Sequence, residues 1–241
     1  YATAIGTFTE MDSGEIANYF GTMSGNYANV FLMIAINVAL TMLVVKNNLQ
    51  SGIEKISKIL LPTLAIIMII IVGYGFTMSG ASEGLKFFFT WDFESFTMES
   101  VLSALGQTFF SLGIAMAVAL VFGSYQKEGE INIVKNSAII SLSVIFVAIL
   151  AGMMIFPMVY TFDLDVASGP GLTFVVMPNV FNQLTGGIFW GVLFYIAFFI
   201  AAFSSGIAGW EAVIGFLMDQ FNLSRGKALW GTLVLVCIIG I

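Results

Sequence analysis

The sequence predicts an all-α polytopic membrane protein, and three observations lead there. Of 241 residues, 59% are hydrophobic and only 9% are charged, whereas soluble globular chains carry about a quarter charged residues. The mean hydropathy is +1.00, so water cannot be the solvent that most of the surface meets. The apolar residues also fall in long continuous runs that lack the alternation of a barrel strand. A backbone exposed to lipid must satisfy its own hydrogen bonds, so such runs are expected to be helices. The net charge of -6, with no basic patch interleaved with aromatics, speaks against nucleic-acid binding. With no histidine and a lone Cys237, the usual zinc and acid–base groups are missing, and neither an enzyme nor a cofactor is expected.

A spanning helix needs about 20 mostly apolar residues. After a short apolar stretch at Tyr1 to Phe8, five candidates run near Val30 to Val45, Ile59 to Phe76, Val101 to Tyr125, Asn136 to Thr161 and Gly186 to Leu217, with a shorter sixth at Ala228 to Ile241. Tyr1 opens an apolar stretch with no basic leader, and Val234 to Ile241 closes in another; the chain reads as an internal piece of a longer membrane protein. Lys46, Lys55 and Lys58 share one connection, Lys127 and Lys135 lie two spans later, and Arg225 and Lys227 two spans later again. Basic residues in short connections stay inside, so an alternating topology puts seven of the eight basic residues on the cytoplasmic face, with Lys86 the exception. Glu10, Asp12, Glu15, Glu83, Asp92, Glu94, Glu99, Asp163 and Asp165 then lie outside.

Two outer connections, 77–100 and 162–186, are long and semi-apolar. In the second, Gly169, Pro170 and Gly171 precede Phe174-Val175-Val176-Met177-Pro178, a helix-like piece too short to span. It reads either as a hairpin lid dipping into the protein or as an interfacial loop anchored by Phe174 and Phe181. Within the spans, Gly106-Gln107-Thr108-Phe109-Phe110-Ser111-Leu112-Gly113 gathers an amide, two hydroxyls and two glycines. Freed carbonyls of an unwound helix can coordinate a cation. Close packing of small residues explains the same composition. Ala201-Ala202-Phe203-Ser204-Ser205 in the fifth span has the same two readings, since sodium is a hard cation that prefers oxygen ligands. Glu211 is an intramembrane carboxylate, read either as functional or as a snorkelling or packing group.

These residues resemble the neurotransmitter:sodium symporters of the LeuT fold, in a prokaryotic-type form. Gly106-Gln107-Thr108-Phe109-Phe110-Ser111-Leu112 is similar to the family's sixth-helix signature Gly-Gln-x-Phe-Phe-[Ser/Thr]-Leu, and Gly123-Ser124-Tyr125 to that helix's inner end. Asp92-Phe93, Ala151-Gly152 with Ile155-Phe156-Pro157, Ser168-Gly169-Pro170-Gly171-Leu172 and Leu223-Ser224-Arg225 follow in family order. The resemblance covers nearly the whole chain. It implies a partial LeuT fold from late in the third helix to the ninth, without the N- and C-terminal helices. One transporter domain would hold the remainder of the first inverted repeat at 1–76, an outer connection at 77–100, and most of the second repeat at 101–241, with 162–186 as the outer lid.

The resemblance further implies sodium-coupled symport of an amino acid or related amine across the plasma or bacterial inner membrane by alternating access, with sodium as coupling ion and the bilayer as surroundings. The chain alone, lacking the first helix, is expected not to transport. Sodium ligands would be Ser111, Ser143, Ala201, Ser204 and Ser205, with Ser143 departing from the asparagine usual at its position. Tyr1, Phe110, Ser111, Gly113, Met116, Ser205 and Gly209 would line the substrate site. Gln107 and Phe110 would gate it outside, and Tyr125 and Asp219 inside; Asp219 also reads as an ordinary helix-end carboxylate. Because Gly113 and Gly209 lack side chains at pocket positions, a bulky or aromatic amino acid is expected. A proton-coupled or uncoupled transporter, and a sensor or scaffold that keeps the fold without turnover, are the rivals.

Overall fold

The computed structural model describes residues 2–9, 11–46, 53–94, 96–114, 116–124, 132–164, 166 and 169–239, with 237–239 described for their backbone alone. Among these residues the helices follow in the order α1 (Ser13–Gly25), α2 (Tyr27–Val45), α3 (Lys55–Gly75), α4 (Ala81–Phe89), α5 (Met98–Ser111), α6 (Val118–Ser124), α7 (Ile133–Thr161), α8 (Met177–Gln183), α9 (Gly187–Phe221) and α10 (Arg225–Ile239). A π-helical turn, Leu172–Val176, leads into α8, and no strand occurs among the described residues.

Among the described residues, four helices, α2, α3, α7 and α9, are long and apolar enough to cross a membrane. They match four of the expected spans within a few residues at most ends. The expected span at Val101 to Tyr125 is instead broken into α5 and α6, neither long enough by itself to cross the roughly 30 Å hydrocarbon layer. The sequence reading placed no helix over Ser13–Gly25. There α1 starts at a reciprocal cap: the Glu15 N–H donates to Asp12 Oδ1 (2.8 Å), and the Asp12 N–H donates to Glu15 Oε2 (3.0 Å).

The chain forms two compact units; four of their five boundaries fall inside α2, α3, α7 and α9, and the fifth lies between α4 and α5. The first comprises Tyr1–Ile34, Leu61–Thr90 and Ala148–Ala201. Its core holds Ile16, Ile71, Met158, Val159, Met177 and Val180, all fully buried. Here α4 lies directly on the C-terminal part of α7: a Cβ on Gly84 would stand 2.5 Å from the Phe156 carbonyl oxygen, so only glycine permits the approach. Phe87 and Phe88 flank that contact with ring centroids 5.3 Å from Phe156, and the Gly80 N–H donates to Thr161 Oγ1 (3.1 Å). Lys86, the basic residue that breaks the charge pattern, sits on this short helix outside the long spans.

The second unit comprises Ala35–Leu60, Trp91–Val147 and Ala202–Ile241. Val44 and Val45 from α2, Ile207 and Ile214 from α9, and Ala228 and Leu229 from α10 form its core together with Ile53. The C-terminus of α2 thereby meets the N-terminus of α10. Lys46 follows one and Lys227 lies in the other, as an alternating topology with one basic face requires.

Candidate functional site

The site is built on the break between α5 and α6. Thr97 caps the start of α5, its Oγ1 accepting from the Ser100 N–H (3.3 Å). The helix stops after Ser111 because Gly113 takes a left-handed conformation (φ +65°). The Gly113 N–H then reaches the Phe110 carbonyl (3.0 Å) and the Ile114 N–H reaches that of Phe109 (3.1 Å), the paired bonds of a glycine-terminated helix. Ala117 is also left-handed (φ +56°), directly before α6 begins at Val118. Two such residues within five positions prevent one helix from running through, and the carbonyl end of α5 carries partial negative charge at the break.

Gln107 Nε2 donates to Ser111 Oγ (3.1 Å), which holds that hydroxyl oxygen one turn along from the amide at the end of α5. Phe110, Ser111 and Met116 are exposed beside the break, and Gly113 is half-buried within it. On α7, the exposed Ser143 donates its hydroxyl hydrogen to the Ile139 carbonyl (2.7 Å). That bond leaves lone pairs as what its oxygen can offer a further partner. On α9, Ala201, Ser204 and Ser205 are spaced i, i+3, i+4 and share one helical face, with Gly209 a turn beyond Ser205. A Cβ on Gly209 would meet nothing within 4 Å. Gln107, Phe110, Ser111, Gly113, Met116, Ser143, Ser204, Ser205, Gly209 and Asp219 belong to the second unit, while Ala201 is the last residue of the first. Tyr1 and Tyr125 lie outside the described residues.

Toward the C-terminal end of α9, Glu211 is fully buried and engaged in a bidentate ion pair. Arg225 Nη1 donates to its Oε1 (2.9 Å) and Nη2 to its Oε2 (2.7 Å). The same guanidinium donates from Nε (3.2 Å) and Nη2 (2.9 Å) to the Val45 carbonyl, satisfying an acceptor at the end of α2. Of the open readings of Glu211, the structure supports a packing contact, of a charge-paired kind. The sequence reading missed Arg225 as the partner. The signal was a guanidinium only 14 residues from an otherwise unexplained intramembrane carboxylate. Asp219 is exposed, two residues before α9 ends at Phe221.

The connection between α7 and α9 is helical along most of its described length. Met177, Pro178, Asn179, Val180 and Phe181 of α8 are buried in the first unit. Phe20 of α1 stacks on Phe174 of the π-helical turn at 5.2 Å with an 8° interplanar angle. The Tyr195 hydroxyl of α9 donates to the Thr173 carbonyl (2.8 Å).

Long apolar helices, with a further apolar stretch broken by left-handed residues beside an amide–hydroxyl pair, are the pattern of a helical membrane protein of the transporter class. Residues 16–241 match the model of the sodium:neurotransmitter symporter family, and the chain belongs to that family. It is 34% identical over 239 residues to an uncharacterized sodium-dependent transporter, YhdH, of Bacillus subtilis, covering 99% of this chain and 53% of the relative. It is 29% identical over 205 residues to the sodium-dependent serotonin transporter of Drosophila melanogaster, covering 79% of this chain and 33% of that one. The crystal structure of MhsT in complex with L-phenylalanine superposes with a TM-score of 0.86 at 30% identity, covering 99% of this chain and 54% of MhsT. The chain is thus an all-α, multi-pass membrane protein with a partial LeuT fold, and it spans about half the length of YhdH and MhsT.

Proposed function

We propose that this chain contributes part of the substrate and ion site of a sodium-coupled symporter for an amino acid or related amine, working by alternating access in a plasma or bacterial inner membrane. The observation that carries the reading is the break at 112–117, where left-handed Gly113 and Ala117 end α5 and open α6 beside the Gln107–Ser111 hydrogen bond. Ser111 and Ser143 serve one sodium ion; the Ala201 carbonyl with the Ser204 and Ser205 hydroxyls serves a second, all of them neutral oxygen donors suited to a hard cation.

Phe110, Ser111, Gly113, Met116, Ser205 and Gly209 line the substrate cavity, together with Tyr1. The missing side chains at Gly113 and Gly209 favour a bulky or aromatic amino acid, in keeping with the phenylalanine bound by MhsT. Gln107 and Phe110 gate the cavity outside, and Tyr125 and Asp219 inside. Residues 1–76 complete a first inverted repeat and 101–241 make up most of a second, with 77–100 an outer connection and 162–186 the outer lid. Sodium and substrate each favour the state the other prefers, and that coupling lets a sodium gradient drive accumulation.

The test is equilibrium binding of labelled phenylalanine, leucine and glycine to a full-length protein containing this chain, titrated with sodium. The reading expects sodium-dependent binding with phenylalanine strongest. Binding indifferent to sodium supports the proton-coupled or uncoupled rival instead, and glycine outcompeting phenylalanine overturns the size argument.

A further inference from the structure

The π-helical turn and α8 are tied to the N-terminal part of the first unit by side-chain amides. Asn182 Nδ2 donates to the backbone carbonyls of Phe8 and of Met11, the latter at 3.3 Å. Asn179 Oδ1 accepts from the Ser13 hydroxyl of α1 (2.8 Å), and its Nδ2 donates to the Val175 carbonyl (2.7 Å) inside the π-helical turn. A π turn displaces the regular backbone ladder by one residue, and the Asn179 amide serves a carbonyl in that stretch. Asn179 is only 7% exposed, so its amide has little water to turn to if these partners leave. The two asparagines, three positions apart on one face of α8, therefore join it at two points to segments 166 to 174 residues distant in sequence.

We propose that Asn179 and Asn182 are positioning residues that latch this connection to α1 and the segment before it, and that the latch sets how readily the outer lid opens. The inference rests on reading 162–186 as the lid of a transporter. The latch's hydrogen bonds run to Phe8, Met11, Ser13 and Val175, which are not among the candidate sodium or substrate residues. Separating α8 from α1 would leave the Asn179 amide without its Ser13 partner beside the buried Met177 and Val180, so the latch adds to the packing that holds the lid down, which suits a contact that is made in one state and released in another. Ser13 is exposed and contributes a single bond, so it is the point at which the latch can be opened without altering the lid itself.

The experiment uses a full-length protein containing this chain in proteoliposomes, with Cys237→Ser and a reporter Val180→Cys at a fully buried position on the lid, which a maleimide reaches only when the lid opens. The rate of labelling by a membrane-impermeant maleimide is read together with sodium-driven uptake. Ser13→Ala, Asn179→Leu and Asn182→Leu are each expected to speed labelling, with about tenfold for Asn182→Leu, the factor that corresponds to about 1.4 kcal/mol. The Ser13→Ala/Asn179→Leu double variant is expected to label no faster than Asn179→Leu alone, because both remove one shared bond. Asn179→Asp keeps the acceptor for Ser13 and is expected to fall between native and Asn179→Leu. Labelling unchanged in all variants while uptake is native-like overturns the latch, as does strict additivity of Ser13→Ala and Asn179→Leu. Faster labelling in a protein that never accumulates substrate leaves the latch standing and overturns the transport reading instead.

Discussion

Replacing Arg225 by alanine removes at least four hydrogen bonds at once, among them two to the fully buried Glu211 and two to the Val45 carbonyl. Breaking a buried ion pair from one side costs about 3–5 kcal/mol, because the remaining charge stays desolvated without a partner. The Arg225 side chain is 19% exposed, so water reaches part of the pair and the lower end, about 3 kcal/mol, is expected. Glu211→Gln keeps one acceptor oxygen for the guanidinium and is expected to cost about 1–2 kcal/mol. Glu211→Leu combined with Arg225→Met removes both charges, and is expected to cost less than Arg225→Ala alone, since no uncompensated charge is left in the core of Val45, Ile207 and Ile214. Reversible unfolding in mixed detergent micelles measures all four proteins. A loss below about 1 kcal/mol for Arg225→Ala, or a double variant that costs as much as Arg225→Ala or more, would refute the reasoning, because the first result means the pair is solvated in the folded state and the second that no uncompensated charge drives the loss.

Gly113→Ala places a side chain at φ +65° and 3.1 Å from Val118 Cβ. It is expected to cost about 1 kcal/mol and to weaken sodium-dependent substrate binding while helix content by circular dichroism stays unchanged. Ser143→Asn exchanges a hydroxyl for a stronger amide oxygen, and is expected to lower the sodium concentration for half-maximal substrate binding; an unchanged sodium titration would remove Ser143 from the proposed ligand set.

Hydropathy made the long helices legible because residues throughout α2, α3 and α7 are apolar, whichever way they face. The fifth span was read as ending at Leu217, whereas α9 continues to Phe221. Asp219 and Gln220 lower the hydropathy there without breaking the backbone ladder. The interruption of the sixth-helix signature was legible only as one of two readings, since Gly113 with the nearby amide and hydroxyls also suits close packing of small residues. The second left-handed residue, Ala117, was not, because alanine carries no local preference for that conformation. The helix α1 was missed because its residues are mixed in polarity, although Asp12 and Glu15 already spelled a reciprocal cap. The Glu211–Arg225 pair was hidden by tertiary geometry: the contact exists only because the turn after Phe221 brings α10 back against α9 and the end of α2. The paired asparagines of α8 were likewise visible as residues but not as a contact, since their partners lie near the other end of the chain.

The most direct test of sodium coupling through the α9 serines is uptake of labelled amino acid into vesicles holding a full-length protein that contains this chain, under an imposed sodium gradient. Native protein is compared with Ser204→Ala/Ser205→Ala. Accumulation that requires the gradient and collapses in the double variant is the predicted result. Accumulation that proceeds without sodium, or that survives loss of both hydroxyls, contradicts the account.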